Sequence, residues 1–178
     1  MTRYDLAPED FVYDHSMIDK RWLLLTAGEF EPGKFNSMTI SWGSVGEIWN
    51  RPFFQVFVRP TRYTMKFMES SEYFTLCVLP EALRPALSLI GSRSGRDGDK
   101  IAASGLTPIA SRIASAPSYE EAELIVECKK VYWQDIDPAH FLDPEIMKNY
   151  PKRDFHRVYY GRIEAVSGTE AFHLPVKR

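Results

Sequence analysis

The chain has 178 residues, of which 44% are hydrophobic and 26% are charged, and its formal net charge is −2. This length suits one domain with a sizeable core, so we expect a single domain over residues 1–178. The slightly acidic balance argues against nucleic acid as a partner. No apolar run reaches the roughly 18 residues of a membrane span, so a membrane protein is not expected.

The compartment is predicted from the N-terminus and the cysteines. The first residues carry an acid where a signal peptide would carry a basic and then an apolar stretch. Cys77 and Cys128 lie in apolar surroundings, where a buried thiol is the usual occupant. We therefore expect a reducing, cytoplasmic setting.

Strand-like runs alternate with turn residues along the chain, without an internal repeat. Six strands are predicted in chain order, at residues 22–27, 36–44, 53–58, 73–79, 119–133 and 158–166. Helical spacing predicts short helices at residues 61–70, with Thr61 as the N-cap, and at 80–90 and 144–149. This pattern indicates a mainly β protein with short helices, either a β-barrel or an α+β domain.

Positive charge is concentrated in residues 51–66, which contain four bases and no acid. Arg59 ends a predicted strand, and Arg62 lies in the first turn of the following helix. Tyr63 and Thr64 add hydroxyl groups beside the N-terminal amides of that helix. These are the components of a phosphate site, although a solvated basic edge would have the same composition.

The predicted strand at residues 36–44 has one polar and one apolar face. The polar face consists of Ser37, Thr39 and Ser41, and the apolar face of Met38, Ile40 and Trp42. Hydroxyl groups and backbone amides on one side of a strand suit a flat heteroaromatic ligand, while the other side builds the core. A half-exposed strand without a ligand is the alternative.

Residues 91–100 contain no apolar side chain and are predicted to form a loop. This loop contains Ser94, Gly95, Arg96 and Asp97 and ends at Lys100, so it is able to close over a polar or anionic ligand. It lacks the Gly-Lys-Ser/Thr ending of a P-loop, and the chain has no Gly-x-Gly-x-x-Gly motif.

The four histidines do not have the spacing of a metal site, and no metal is expected. His156 differs from the others because it precedes the last predicted strand and has aromatic neighbours. From the residues alone, a surface histidine at a turn is the preferred interpretation.

Residues 36–43, 58–64 and 94–106, taken in this order, resemble the flavin reductase-like family of FMN-binding split barrels, in particular its flavoredoxin-like branch. The resemblance implies a six-stranded Greek-key split barrel and a homodimer with FMN near the subunit interface. It also implies two-electron chemistry with NADH or NADPH.

The resemblance also implies roles for the candidate residues. The segment from Ser37 through Met38, Thr39, Ile40 and Ser41 to Trp42 would line the isoalloxazine and the ribityl chain, with Thr39 and Ser41 as hydrogen-bonding residues. The phosphate would be held by Arg59, Arg62, Tyr63 and Thr64. The loop of Ser94, Gly95, Arg96, Asp97 and Lys100 would cover the phosphate end, mainly through Arg96 and Lys100.

His156 matches the histidine that faces the nicotinamide in many flavin reductases, where it follows glycine and aspartate. Here Asp154 and Phe155 precede it instead. The stretch at residues 136–153 resembles an insertion that would cover the flavin face.

Three functions remain open at this point. The first is an NAD(P)H-dependent flavin reductase, and the second is an electron carrier that holds FMN tightly and serves a redox partner protein. The third is a split-barrel protein that binds another phosphorylated or aromatic ligand.

Overall fold

The computed structural model describes residues 2–173, which form ten β-strands and four α-helices. The strands are β1 (Tyr4–Leu6), β2 (Leu23–Gly28), β3 (Phe35–Ile40), β4 (Gly43–Ile48), β5 (Arg51–Val58), β6 (Tyr73–Val78), β7 (Pro108–Ile109), β8 (Ser118–Tyr119), β9 (Leu124–Asp135) and β10 (Arg157–Gly168). The helices are α1 (Ser16–Arg21), α2 (Thr64–Ser70), α3 (Arg84–Ser92) and α4 (Lys100–Ser104). Short 3₁₀ turns lie at Glu81–Leu83, Pro138–His140, Pro144–Asn149 and Glu170–Phe172.

The main sheet is antiparallel and has the strand order β3-β2-β6-β9-β10-β5-β4, and β1 pairs with the far end of β10. Strands β7 and β8 form a separate pair. The two edge strands, β3 and β4, are consecutive in the sequence and are joined only by Ser41 and Trp42. The sheet is therefore open at this junction.

The sheet has apolar side chains packed on both faces. Leu25 and Leu76 belong to the larger core, inside the curved sheet and against α2, whereas Leu24 and Cys77 pack on the other face with α3 and α4. All six residues of β2 are buried. A strand covered on both faces needs no polar alternation, which explains why this segment is a continuous apolar run.

The long strands β9 and β10 pair irregularly with each other. Their register shifts between Tyr160 and Gly161 and again between Ile163 and Ala165. A Cβ on Gly161 would lie 2.4 Å from the ring of Phe74, so only glycine fits at this close approach.

The predicted mainly β class with short helices is confirmed, but the strand count is ten rather than six. The single strand predicted at 36–44 is wrong, because β3 ends at Ile40 and the chain turns before β4 begins at Gly43. The strand predicted at 119–133 is likewise divided, with β8 and β9 separated by a turn.

The helices also differ from their predicted bounds. Helix α2 begins at Thr64, and Thr61 lies in the preceding turn and does not cap it. Pro85 lies in the first turn of α3, where proline is tolerated, so the predicted helix at 80–90 starts later and extends through Ser92. The loop predicted at 91–100 is correspondingly shorter. The predicted helix Pro144–Asn149 is a 3₁₀ turn.

Cys77 and Cys128 are buried free thiols, as predicted. No helix within residues 2–173 is long and apolar enough to cross a membrane.

Candidate functional site

A cavity of about 200 Å³ opens where the sheet is split between β3 and β4. It combines the end of β3, the end of β5 with the turn after it, and the residue that precedes β10. Its lining consists of Met38, Thr39, Ile40, Ser41, Trp42, Phe57, Arg59, Arg62 and His156. The structure thus brings together the strand segment, both predicted phosphate-binding arginines and the candidate catalytic histidine.

The junction between the edge strands supplies backbone donors to this cavity. The sheet pairing of β3 ends at Ile40 and that of β4 begins at Gly43. Among residues 2–173, the N–H groups of Ser41 and Trp42 find no backbone acceptor. A free N–H group beside a cavity is a ready hydrogen-bond donor for a ligand.

Trp42 does not join the core, contrary to its predicted place on the apolar face. Met38 and Ile40 are buried as expected, but the chain turns after Ile40 and leaves Trp42 42% exposed. Its indole ring lies 5.1 Å from the ring of His156, centroid to centroid. The side chain is therefore part of the cavity wall.

The Ser37 and Thr39 hydroxyl groups of β3 are hydrogen-bonded within the protein. Ser37 is fully buried, and its Oγ hydrogen-bonds Thr26 Oγ1 at 2.7 Å and the Tyr119 hydroxyl at 2.6 Å. Thr39 Oγ1 donates to the carbonyl oxygen of Leu87 in α3 at 2.6 Å. Helix α3 and Tyr119 thus already use these two hydroxyl groups within the protein, while Thr39 still lines the cavity, and their predicted contacts with a ligand stay predictions.

The two arginines differ in how firmly the protein holds them. Arg59 Nη1 lies 2.9 Å from Asp154 Oδ1, its Nη2 donates to the carbonyl of Asn149 at 2.8 Å, and its guanidinium lies 5.0 Å from the Tyr150 ring centroid. Arg62 Nη1 donates to the carbonyl of Gly91 at 2.8 Å. The remaining guanidinium N–H groups of both residues can bind an anion.

His156 is buried at the base of the cavity and is not a surface histidine. Its Nδ1 lies 2.8 Å from the hydroxyl oxygen of Tyr150, and Trp42 and Phe57 pack against its ring. Burial, with a smaller contribution from the Arg59 charge, lowers the pKa of His156 from 6.5 to about 4. The ring is therefore neutral at pH 7.

Tyr63 and Thr64 do not line the cavity. Thr64 is buried at the start of α2, and its Oγ1 accepts a hydrogen bond from Asn36 Nδ2 at 2.6 Å. Tyr63 packs edge-on against Phe67. Tyr63 instead borders a groove of about 820 Å³ beside the β2–β3 hairpin, and the predicted phosphate contacts of both residues stay predictions.

The loop after α3 lies apart from the cavity. Arg96 Nη1 donates to the carbonyl of Thr61 at 3.2 Å, and the Arg96 N–H donates to Ser94 Oγ at 3.2 Å. Arg93, Ser94 and Asp97 line a separate depression. These loop residues therefore border a different surface region from the cavity, and their predicted contacts with the flavin phosphate stay predictions.

Lys100 is turned into the helix layer rather than toward a ligand. Its buried Nζ donates to the carbonyl oxygens of Ile90 and Arg93 at 2.9 and 3.2 Å, which satisfies the end of α3. Burial lowers the pKa of Lys100 to about 8. With Gly95 it also borders a groove of about 820 Å³ beside the β2–β3 hairpin.

Sequence reasoning predicted that residues 136–153 would cover the flavin face, but it missed the contacts that individual residues of this segment make. Tyr150 contacts both His156 and Arg59, and Asp154 pairs with Arg59. The aromatic rings of Phe141 and Phe155 pack against Tyr150. Three aromatic residues within an otherwise polar and proline-broken stretch were the available signal, since such side chains need a packing partner.

The sequence profile described as "Flavin reductase like domain" matches residues 18–174 of the chain. A comparison with curated proteins found no match.

Solved structures share the fold. The flavoredoxin of Desulfovibrio vulgaris is 21% identical, with a TM-score of 0.65 over 84% of this chain and 70% of that one. The FMN-binding domain of a flavin reductases-like enzyme from Shewanella baltica is 15% identical, with a TM-score of 0.67 over 94% and 77%. Nitrilotriacetate monooxygenase component B from Bacillus cereus is 18% identical, with a TM-score of 0.62 over 88% and 70%.

Proposed function

Because the chain belongs to the flavin reductase-like domain family, we propose that it is an FMN-binding oxidoreductase that takes hydride from NADH or NADPH. The observation that carries this proposal is the cavity at the split of the sheet. It combines free backbone N–H groups, an exposed indole, two arginines and a neutral histidine.

The donors of the cavity fit FMN chemically. The backbone N–H groups of Ser41 and Trp42 suit the acceptor atoms at the edge of a heteroaromatic ring, and Trp42 offers an aromatic surface beside them. Arg59 and Arg62 retain donors for a phosphate. When bound, FMN supplies the two-electron chemistry, and the protein supplies orientation and electrostatics.

The size of the cavity supports a homodimer. Pockets that bury drug-sized ligands have volumes of roughly 300 to 1,000 Å³. The cavity of one protomer has only about 200 Å³, so it encloses part of an FMN molecule. We expect a second protomer to complete the site, and sedimentation velocity should then give about twice the 20.5 kDa mass of the chain.

The residues of the chain have distinct tasks in this proposal. The β3–β4 junction and the arginines bind and orient the cofactor, while His156 presents a neutral polar group to a second ligand. Residues 136–155 limit the access of water and of large molecules. The buried thiols of Cys77 and Cys128 support a reducing, cytoplasmic compartment.

An electron carrier that serves a redox partner protein is the second candidate, and one observation favours it. Residues 136–155 are tied to two residues of the cavity by the Asp154–Arg59 ion pair and by the Tyr150–His156 hydrogen bond. A nicotinamide ring must stack on the flavin for hydride transfer, and a segment held beside the cavity would limit the room for it.

A visible absorption spectrum of the protein, recorded after FMN addition and desalting, tests the proposal. We expect retained yellow colour that bleaches on anaerobic addition of NADH or NADPH. Bleaching with dithionite alone would favour the electron carrier. Failure to retain FMN, together with no turnover of FMN and NAD(P)H, would contradict both and leave a non-redox ligand.

A further inference from the structure

Tyr150 and His156 form a closed hydrogen-bonded pair beside the cavity. The Tyr150 hydroxyl oxygen lies 2.8 Å from His156 Nδ1, and the two residues are 3% and 7% exposed. Tyr150 lies on the 136–155 segment, whose start is tied to His156 by a hydrogen bond from the Ile136 N–H to the His156 carbonyl oxygen. The packing of the 136–155 segment against the residues at the start of β10 thus sets the distance between the Tyr150 and His156 side chains.

The direction of this hydrogen bond follows from the surroundings of the Tyr150 hydroxyl. Within residues 2–173 this hydroxyl has no partner other than Nδ1. If Nδ1 carried the proton, it would donate to the tyrosine oxygen, and the hydroxyl hydrogen would be buried without an acceptor. Such a group is costly, so the arrangement in which tyrosine donates is favoured.

Both members of the pair are uncharged at neutral pH. Burial raises the pKa of Tyr150 and lowers that of His156. The cationic side chains of Arg59 and Arg62 oppose a proton on His156, and the Asp154 carboxylate favours it, but burial prevails. A neutral imidazole has one donor nitrogen and one acceptor nitrogen, and its partner decides which is which.

We propose that Tyr150 is a positioning residue whose hydroxyl donates to His156 Nδ1 and thereby keeps the histidine proton on Nε2. Nε2 forms no hydrogen bond within the described part of the chain, and the His156 ring lines the cavity. The cavity therefore meets its ligand with an N–H donor and not with a basic nitrogen.

This assignment defines the ligand that His156 can serve. An N–H donor needs an acceptor, so the second ligand presents a carbonyl, carboxamide, nitro or similar oxygen to His156. His156 orients and polarises that group and does not abstract a proton. The role of His156 toward a second ligand deepens the proposed function and rests on it. The assignment of the histidine proton to Nε2 does not depend on the proposed function.

Nitrogen-15 NMR of the imidazole side chains locates this proton directly. At pH 7 we expect His156 to be the Nε2–H tautomer, with Nδ1 showing the shift of an acceptor nitrogen. Tyr150→Phe removes one hydroxyl group, so we expect the Nδ1 signal to move and the Nδ1–H tautomer to gain population. Tyr13→Phe is the matched control, because the Tyr13 hydroxyl has no partner and does not contact His156.

A proton on Nδ1 in the wild-type protein would overturn the proposal. Unchanged His156 nitrogen signals in Tyr150→Phe would overturn it as well. These spectra need neither FMN nor turnover, so failure of the proposed function shows separately, as absence of flavin binding and of NAD(P)H oxidation.

Two substitutions of His156 test the donor role in the active protein. The amide nitrogen of Gln reaches the position of Nε2, whereas Asn reaches only that of Nδ1. We expect His156→Gln to retain at least tenfold more kcat/KM than His156→Asn, with similar FMN affinity in both. Equal losses in the two variants would contradict a donor at Nε2.

Discussion

At the scale of single residues, the site is defined by which polar groups remain free. Ser37 and Thr64 carry hydroxyl groups in the predicted binding segments, but both are buried and bonded within the protein. Ser41 and Trp42 lie where sheet pairing stops, and their backbone N–H groups find no backbone acceptor among residues 2–173. A ligand can recruit only donors that the fold has not already used.

Arg62 gives the cleaner test of the phosphate assignment. Arg59 also anchors Asp154 and Asn149, so its removal would disturb residues 136–155 as well. We expect Arg62→Ala to weaken FMN binding at least tenfold, since a charge-assisted hydrogen bond contributes about 1.5 to 3 kcal/mol. Fluorescence titration of FMN measures the change. Arg51→Ala is the control, because this exposed base lies outside the cavity, and equal affinities would contradict the assignment.

The burial of His156 makes the stability of the fold depend on pH. Its pKa in the folded protein is about 4, below the 6.5 of a free histidine, so only the unfolded chain gains a proton as the pH falls from 6.5 toward 4. The free energy of unfolding should therefore fall by about 2 kcal/mol between pH 7 and pH 5 on account of this residue.

Urea unfolding of the wild type and of His156→Gln at both pH values checks this expectation. The variant should lose less stability on acidification. His15→Gln serves as the control, because the His15 side chain is 98% exposed. An identical loss in all three proteins would show that His156 is not the group responsible.

At the scale of elements, loops are held by side chains of the strands beside them. Glu127 of β9 is buried, and its carboxylate accepts hydrogen bonds from the N–H groups of Arg112, Ile113 and Ala114 at 2.7 to 2.8 Å. The 136–155 segment is held by Arg59, which follows β5, and by His156, which precedes β10. In both cases side chains on or next to a strand order a segment that has little regular structure of its own.

Glu127→Gln should destabilise the protein by about 3 kcal/mol. The amide nitrogen of Gln would face an N–H donor, and the remaining hydrogen bonds would lose their charge. Urea denaturation measures the effect, and Glu120→Gln is the control, because Glu120 is exposed and not part of this arrangement. A change below about 0.5 kcal/mol would mean that the loop does not depend on the carboxylate.

At the scale of the whole molecule, one sheet supports two apolar layers and is open between its edge strands β3 and β4. The larger layer contains residues of both the first strand, β1, and the last strand, β10. We therefore expect the chain to unfold as one cooperative unit. The opening at β3 and β4 is where backbone groups and side chains from distant segments meet.

Two leucines at the extremes of exposure test this cooperative unit. Leu25 is fully buried in the larger layer, whereas Leu142 is 98% exposed. Leu25→Ala should cost about 2 to 5 kcal/mol without changing the denaturant m-value, and Leu142→Ala about 0.5 kcal/mol or less. A second transition, or a changed m-value in Leu25→Ala, would indicate more than one folding unit in the chain.

Local pattern in the sequence was enough to determine most strands, the position of α2 within about three residues, and the family. These features depend on neighbouring residues, through alternation, turn residues and short motifs. The same pattern divided residues 37–42 correctly into two faces up to Ile40, but it placed Trp42 in the core.

Only the tertiary structure decided which face is covered and which groups meet. Helix α3 closes the hydroxyl face of β3 through Leu87, and Asp154 reaches Arg59 across 95 positions of the chain. Tyr150 finds His156 because a polar segment folds back over the split of the sheet. Alternation of polar and apolar residues along a strand shows only that its two faces differ in polarity. Long-range packing determines which of the two faces a ligand can reach.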